Sequence, residues 1–363
     1  MKTLTQLRID HFRGIRDLNI EHLTSINVIV GDNNCGKTSV MEAIQFLRSG
    51  SPANIYNIAR LRDRTLTFFS NSLYDSFICM FPKEDDKLQI KLSGEYDSQP
   101  VSYVLSGTES KELIDLNELD RIARREFAEA NGETETDVFD GSSVYMIGEQ
   151  TLTESIRLNR LARVTGTLIR LKPQIKISYV SPFEHINGNI VNRIIKNDAY
   201  KLICLNALQL FDPEIEDIMI FRSDVSNRPV EYLKHKRLGN MPLSTYGDGI
   251  KKVLVLANAI IGATDGILLI DEIETAIHRK YYNDIFRFIV KACRTFNVQV
   301  FITTHSIEAI DGLLATQDYD IQSKEDAITV VTLRRENHKT YSRVLQGREV
   351  FENREAFGFE VRL

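Results

Sequence analysis

The sequence lacks the features that would assign it to a secreted or membrane class. It has four cysteines in 363 residues, far apart and without a C-x-x-C pair, so neither a zinc site nor a disulfide framework is expected. No apolar run approaches the roughly 18 residues of a membrane span, and the first residues contain no long apolar core. These absences predict a cytoplasmic protein that does not enter a membrane.

The overall charge says little about partners. The formal net charge is -5 and the pI about 5.9, so no general basic field indicates nucleic acid, although a local basic patch stays compatible with DNA. With 43% hydrophobic and 26% charged residues, the chain can bury one large core or two smaller ones. We find no fixed-period repeat and no heptad run of coiled-coil length. Local motifs must therefore indicate the function.

A glycine-rich loop between a predicted strand and a predicted helix is the strongest motif. The apolar run "INVIVG" suits a strand covered on both faces, and "TSVMEAIQFLR" has helical spacing. Between them, "GDNNCGKT" matches G-x-x-x-x-G-K-[ST], in which backbone N–H groups surround phosphate oxygens, the lysine reaches the β- and γ-phosphates and the hydroxyl ligates Mg²⁺. The predicted nucleotide-binding residues are Gly31, Asn33, Asn34, Gly36, Lys37, Thr38 and Ser39, with Thr38 also a magnesium ligand.

Two further apolar runs end in polar side chains. In "GILLIDEIE", Asp271 lies at the C-terminal end of a predicted strand, where parallel sheets bind ligands, and is the second predicted magnesium ligand. Glu272 is the next residue, where a carboxylate can orient or deprotonate the attacking water. "VQVFITTHS" leads to His305, which can contact the γ-phosphate or that water. Beside the P-loop, these residues predict ATP hydrolysis with Mg²⁺, with Lys37, Glu272 and His305 as catalytic residues.

The spacing of these motifs points to a shared site. More than 200 residues separate Lys37 from Asp271, so a large insertion must leave and rejoin the sheet. Just ahead of Asp271, "PLSTYGDGIKKVLVLANAI" contains a Ser/Thr–Gly turn that opens a helix, with backbone N–H groups able to bind an anion. Because the P-loop already serves the chain's own nucleotide, this turn is predicted to serve the nucleotide of another subunit.

These residues together resemble the ABC-type ATPases of the SMC and RecF group, and most closely the OLD (overcoming-lysogenization-defect) family. "LRIDHFRGIRDLNI" resembles their N-terminal strand pair and "GDNNCGKTSVMEAI" their Walker A motif. "LSTYGDGIKKVL" lies where they carry the signature motif, "ILLIDEIETAIH" is similar to their Walker B and D-loop, and "FITTHS" to their switch-histidine strand. The five motifs occur in the order of the family.

The resemblance implies an α/β P-loop NTPase fold. It would be an ABC-type ATPase head with a mixed β-sheet, an antiparallel β subdomain and a helical insertion. The expected parts are an N-terminal lobe with Walker A (1–52), a β-rich insertion with a basic helical segment (53–182), a helical insertion with return strands (183–240), and a C-terminal lobe with the signature, Walker B and switch histidine (241–363).

The resemblance also implies a homodimer that encloses two ATP molecules, with a higher oligomer left open. Arg13, in the N-terminal strand pair, would join the nucleotide-binding residues of the same chain. Ser244, Thr245 and Gly247 would act on the nucleotide of the other chain. Because "STYGDG" departs from the commoner "LSGGQ", the choice between Ser244 and Thr245 as the hydroxyl at the γ-phosphate stays open.

The middle of the chain carries little of the resemblance. Its pattern of apolar and polar residues predicts short antiparallel strands at "TLTFF", "DSFICMF", "KLQIKLSGEY" and "VSYVLS", and a polar, acidic helix over 109–130. The basic stretch 155–176 is interpreted as a solvated helix face, a protein-partner surface or a DNA contact. Gln150 and Gln174 are both candidates for the glutamine of the Q-loop.

The resemblance finally bears on biological role. OLD nucleases carry a metal-binding TOPRIM domain after the ATPase, whereas about 58 residues come after His305 here, so the chain resembles an ATPase-only relative. Such relatives occur in bacterial antiphage and abortive-infection systems, which implies a separate effector, a nuclease or a toxin. A RecF-like DNA-repair ATPase is the alternative. Glu272 argues against an inactive scaffold, and the lack of an N-K-x-D motif argues against a GTPase.

Overall fold

A computed structural model describes residues 2–62, 73–83, 88–115, 133–161, 173–187, 194–195, 197–222, 229–319 and 326–362. The strands are β1 (Leu4–Phe12), β2 (Ile15–Ile20), β3 (Ile26–Gly31), β4 (Leu88–Tyr96), β5 (Gln99–Asp115), β6 (Glu133–Ile147), β7 (Gln150–Asn159), β8 (Ile177–Val180), β9 (Ile215–Arg222), β10 (Pro229–His235), β11 (Gly239–Pro242), β12 (Ile267–Ile270), β13 (Gln299–Thr303), β14 (Ile328–Glu336) and β15 (Lys339–Gln346).

Helices alternate with the strands mainly in the C-terminal half. They are α1 (Lys37–Phe46), α2 (Pro52–Ala59), α3 (Leu73–Ile78), α4 (Glu184–Asn187), α5 (Asp198–Gln209), α6 (Asp248–Gly262), α7 (Tyr282–Thr295), α8 (Ile307–Leu314) and α9 (Gly347–Phe357), with 3-10 turns at Leu243–Thr245 and Arg279–Tyr281. No helix in the described ranges is both long enough and apolar enough to span a membrane.

The core is a six-stranded mixed sheet in the order β15-β14-β3-β13-β12-β8. All its strands are parallel except β15, which runs antiparallel to β14. Val28 pairs with Ile302, Ile302 with Ile270, and Ile270 with Val180, so four strands end at nearly the same level. The segments directly after β3, β13, β12 and β8 therefore meet at one edge of the sheet.

Alternate residues of the central strands face two separate apolar clusters. Val28 and Val30 belong to a cluster with residues of α5 to α8, whereas Ile29 belongs to one with α1 and the second sheet. All six positions of β3 are buried, because helices or strands cover both faces. Burial on both faces explains why the sequence of β3 is a continuous apolar run. The predicted mixed-sheet α/β organisation is confirmed.

The second sheet is antiparallel, in the order β2-β1-β4-β5-β6-β7, and packs on the outer side of α1. Phe46 of α1 contacts Phe12 of β1 and Tyr103 of β5, with ring centroids 5.4 and 4.8 Å apart. The helix that starts at the P-loop thus lies between two sheets. A small sheet of β9, β10 and β11 lies beside α5.

Three local predictions need correction. The expected acidic helix over 109–130 is strand up to Asp115, because β5 pairs with β6 and Glu109 lies opposite Phe139; residues 116–132 lie outside the described part. "DSFICMF" forms most of α3 and the turn after it rather than a strand. The first residues of the basic stretch 155–176 are the last residues of β7 and are not helical. Residues 162–172 of this stretch and the segment "TLTFF" lie outside the described residues.

Candidate nucleotide-binding site

The glycines of the P-loop are required by its backbone. Gly31 has φ 134° and Gly36 has φ 108°, in the region that favours glycine. A Cβ on Gly31 would lie 2.1 Å from the carbonyl oxygen of Leu333 on β14. The loop therefore packs against its neighbouring strand so closely that a side chain at position 31 is excluded.

Lys37 folds back over the loop that precedes it. Its side chain is largely buried, and its Nζ donates hydrogen bonds of 2.8 Å to the carbonyl oxygens of Gly31 and Asp32. Burial lowers the pKa of the Lys37 amine, which the nearby Cys35 and Asp271 oppose. The amine is thus held at the loop where a phosphate would bind, by carbonyl groups that compete weakly with a charged ligand.

Asp271 joins three of the strand ends. Its Oδ2 accepts hydrogen bonds from the Thr38 hydroxyl at 3.2 Å and the Tyr179 hydroxyl at 3.1 Å. Its Oδ1 accepts a short hydrogen bond from Thr303 at the end of β13. The hydroxyl of Thr38 and the carboxylate of Asp271 are hard oxygen donors, as Mg²⁺ requires, and both line the same cavity. These two side chains fit a magnesium ion.

Glu272 has a left-handed backbone. Its φ is 48°, a conformation that costs a non-glycine residue about 1 kcal/mol or more. Its N–H donates to the Thr303 hydroxyl at 2.8 Å, and its Oε2 accepts a 3.4 Å hydrogen bond from the Thr275 hydroxyl. The surrounding structure therefore holds a strained turn that presents this carboxylate to the cavity.

His305 is held by two groups that the sequence did not indicate. Its backbone N–H donates to Glu274 Oε1 at 2.8 Å, and its carbonyl oxygen accepts a 2.9 Å hydrogen bond from Arg362. Arg362 is itself paired with Glu360 at 2.7 Å. The end of the described chain thus returns to the P-loop, where Arg362 and His305 line a small cavity with Asp32 and Asn33.

A cavity of about 580 Å³ brings most of the predicted residues of one chain together. Among the predicted residues, Asn33, Asn34, Gly36, Lys37, Thr38, Ser39, Asp271, Glu272 and His305 line it. Residues that the sequence did not indicate also contribute: Glu42, Leu61, Arg62, Tyr179, Ser181, Pro182 and Phe183. Gly31 lines the smaller cavity beside it. The arrangement can accommodate a nucleoside triphosphate with its phosphates at the P-loop and its terminal phosphate near Asp271.

Neither candidate Q-loop glutamine reaches this cavity. Gln150 begins β7 in the antiparallel sheet, and the backbone N–H of Gln174 bonds to Arg48. The end of β8 occupies the place beside Asp271, through Tyr179 and Ser181. The sequence does contain a signal for these two side chains, because "IKISYVS" has the pattern of a strand that ends in polar residues.

The signature residues lie outside the cavity of their own chain. Ser244 and Thr245 are in a 3-10 turn, where the Thr245 hydroxyl donates to the Pro242 carbonyl oxygen at 2.7 Å. Gly247 caps the start of α6, and a Cβ placed on it would meet no atom of the described residues within 4 Å. These residues form an open surface at a helix N-terminus.

Arg13 lies behind the P-loop helix rather than in the cavity. Its guanidinium donates to Glu42 at 2.7 Å, and Arg62 donates to the other oxygen of the same fully buried carboxylate, also at 2.7 Å. Arg62 continues to the Ser39 hydroxyl at 3.0 Å. The buried acid thus connects both arginines to α1.

Both arginines also line a basic cleft of about 530 Å³. We define the basic cleft by its charged and polar lining residues Arg13, Arg16, Asp17, Arg62, Lys83, Arg335, Asn337, His338 and Lys339. Asp17 is the one acid among these lining residues. The predicted basic stretch is different, because Arg157 pairs with Glu112 and Arg160 with Asp75 and Asp137. With six arginines and lysines and one acid among its lining residues, the basic cleft is a candidate for a polyanion surface.

One group of side chains resembles a metal site but is satisfied internally. Asp212, Glu214 and His235 lie close enough together to share an ion. The Nδ1 of His235 accepts backbone hydrogen bonds from Arg237 and Leu238, so the proton of the neutral ring is on Nε2, which faces Asp212 at 3.2 Å. This tautomer makes the cluster a hydrogen-bonded structural contact.

Comparison with known proteins agrees with this geometry. The family described as "AAA domain, putative AbiEii toxin, Type IV TA system" matches residues 26–311, which include the P-loop, both acids and His305. Over 352 residues, the chain is 25% identical to an "ATP/GTP phosphatase" of Helicobacter pylori, covering 88% of this chain and 91% of that protein. It is also 29% identical over 115 residues to the "DNA replication and repair protein RecF" of a Marinomonas species, covering 32% of this chain and 30% of RecF.

Among solved structures, the chain is similar to the Smc head domain with an extended coiled coil, bound to the C-terminal domain of ScpA, from Pyrococcus furiosus. The TM-score is 0.50 at 11% identity, covering 99% of this chain and 100% of that one. At this identity the likeness establishes the fold alone. The predicted ABC-type head architecture is confirmed. The chain belongs to the AAA-domain family whose description includes AbiEii, and it has the SMC-head-like fold of a P-loop ATPase.

Proposed function

We propose that the chain binds and hydrolyses ATP with Mg²⁺ and that ATP closes a homodimer. The observation that carries the proposal is the 3.2 Å contact between the Thr38 hydroxyl and Asp271, with Glu272 beside it in the same cavity. Mg²⁺ would supply charge neutralisation between the β- and γ-phosphates. Lys37 would bind those phosphates, and Glu272 would accept a proton from the attacking water.

His305 would complete the γ-phosphate side of the site. Its backbone is held at both ends, by Glu274 and by Arg362, so its ring can be positioned at little entropic cost when the phosphate binds. Arg362 would act as a positioning residue for this switch. Arg13 would act on the nucleotide site through Glu42.

The proposed dimer gives a role to the signature residues, which lie outside the nucleotide cavity of their own chain. Ser244, Thr245 and Gly247 would approach the nucleotide of the second chain, and the open surface at Gly247 offers its helix N-terminus to phosphate oxygens. Phe183 and Ile186 are 62% and 60% exposed next to the cavity, a placement that suits burial by a second chain. A higher oligomer is compatible with this arrangement.

The controlled partner would be a separate effector protein, a nuclease or a toxin, in antiphage defence. Two observations support this role: the OLD-like order of motifs, and a family description that names a toxin–antitoxin system. Nucleotide would act by binding the closed dimer more tightly than the open chain, and the effector would respond because it binds one of the two states more tightly than the other.

A mixing experiment tests the shared site. Lys37→Met removes binding within a chain, and Gly247→Glu places a carboxylate where the other chain's phosphates would lie; the monomer tolerates it because position 247 is open. Each variant alone should be inactive. Equal mixing should recover activity, about a quarter of wild-type turnover for random pairing, because half of the dimers are then mixed and each contains one intact site. Gly247→Ala is the control and should stay active. No recovery on mixing would contradict the shared site.

A RecF-like DNA-binding ATPase is the second candidate, favoured by the basic cleft. The measurement is binding of duplex DNA as salt is raised, for wild type and for Arg335→Glu with Lys339→Glu. If DNA occupies the cleft, the double variant should bind weakly, and its salt slope should be smaller by about one for each lost phosphate contact. Unchanged DNA binding in this variant would exclude the cleft, and the effector role would be preferred.

A further inference from the structure

Lys252 is a fully buried lysine on the helix that begins at the signature turn. Its relative exposure is 0%, and its amine has no hydrogen-bond partner among the residues that the structure describes. The adjacent Lys251 differs, because it is partly exposed and its amine contacts Asp248 at 3.2 Å. An ammonium group is strongly hydrated, so its burial without a hydrogen bond needs electrostatic compensation or a function.

The compensation comes from the hydrolysis site. The carboxylates whose charges act on the Lys252 amine are, from the largest effect, Asp271, Glu274, Glu272 and Glu184. Burial lowers the pKa of Lys252 to about 8, and these acids oppose that shift. The first three come directly after β12 and include the predicted magnesium ligand, the predicted base and the carboxylate that holds His305. The buried ammonium of Lys252 thus lies within electrostatic reach of the acids that follow β12.

The position on α6 connects this charge to the predicted dimer contact. Gly247 caps α6, and Lys252 lies five positions further along the chain, a rise of about 7.5 Å. The helix is rigid over this length, whereas the amine makes no hydrogen bond that fixes it to one acid. A displacement at the signature turn would therefore move the ammonium relative to the carboxylates.

We propose that Lys252 is a positioning residue that couples the signature turn to the acids of the hydrolysis site. This inference rests on the proposed function. The ammonium offsets part of the negative charge at Asp271 and Glu272, which weakens cation binding in the open chain and orients the acids when the second chain engages α6.

The test compares Lys252→Met with Lys251→Met in the full chain. Loss of the buried charge should make the acid cluster more negative, so the Mg²⁺ concentration for half-maximal ATPase should fall about threefold to tenfold. Turnover should fall about tenfold, while the KM for ATP stays within about threefold, because the group does not touch ATP. Lys252→Arg should restore part of the turnover. The control Lys251→Met should match wild type in all three quantities.

Packing alone predicts a different pattern, because methionine fills nearly the same volume as lysine and would leave both the Mg²⁺ dependence and the turnover unchanged. A half-saturating Mg²⁺ concentration and a turnover within twofold of wild type would overturn the inference. If wild type and Lys251→Met are both inert, the proposed hydrolysis fails instead. The effect of Lys252 on the acids is then tested by melting the proteins at increasing Mg²⁺ concentrations. A lower half-saturating Mg²⁺ concentration in Lys252→Met than in wild type supports the inference. Equal half-saturating concentrations overturn it.

Discussion

Lys37→Met is expected to abolish turnover and to weaken ATP binding by about 100-fold. The substitution removes the charge-assisted hydrogen bonds to the β- and γ-phosphates, each contributing about 1.5–3 kcal/mol, and removes a donor at the charge that develops during hydrolysis. The fold should persist, because the lost contacts are two hydrogen bonds from Nζ to the loop carbonyls of Gly31 and Asp32. Isothermal titration with a non-hydrolysable ATP analogue and a steady-state phosphate assay measure both effects.

Lys339→Met is the matched control for the loss of a nearby positive charge. Lys339 lies in the basic cleft and pairs with Asp17 at 3.1 Å, outside the nucleotide cavity. Its substitution should leave ATP affinity within about threefold of wild type, because screening weakens exposed charges beyond direct contact. ATP affinity of Lys37→Met within threefold of wild type would place the nucleotide elsewhere.

Glu272→Gln is expected to lower turnover by about 100-fold or more while ATP binding is retained. The amide has nearly the shape of the carboxylate but cannot accept the proton of the attacking water, a contribution of about 10²–10⁴ in rate. The left-handed backbone at position 272 and its bond to Thr303 do not depend on the side-chain charge, so the turn should survive. A phosphate-release assay at saturating ATP reports the chemical step.

Glu274→Gln is the control from the same turn. Its Oε1 accepts the N–H of His305, and the amide oxygen of glutamine can accept the same bond, so turnover should fall by about tenfold at most, far less than in Glu272→Gln. If Glu272→Gln turns over like wild type, another group activates water. If wild type and Glu272→Gln are equally inert, the hydrolytic function is excluded.

The parts of the site that could be predicted from the sequence are those where a strand or helix pattern lies next to a recognisable motif. β3, the loop and α1 are predicted by an apolar run, two glycines and helical spacing, and the structure shows why glycine is needed at position 31. Asp271, Glu272 and His305 were predicted from a single rule, that parallel strands end at one edge of the sheet. In the structure their strands do end there, and all three residues line the cavity with Lys37.

Long-range pairing explains what the sequence did not predict. The segment after Glu109 has many helix-favouring residues, but pairing with β6 outweighs their propensity. "DSFICMF" is a short apolar run, for which periodicity does not distinguish strand from helix. Arg362 reaches His305 across 57 positions because the end of the chain returns along β14, where Thr332 bonds to the Val361 carbonyl. No local pattern encodes that path.

Sedimentation velocity of Glu272→Gln with and without Mg²⁺ and ATP tests the central claim most directly. Because this variant should bind ATP without consuming it, we predict a monomer without nucleotide and a stable dimer or multiple of it with ATP. Wild type should form the same species and then return to monomer as ATP is exhausted. A sedimentation coefficient of Glu272→Gln that is the same with and without ATP would contradict closure of the dimer by nucleotide.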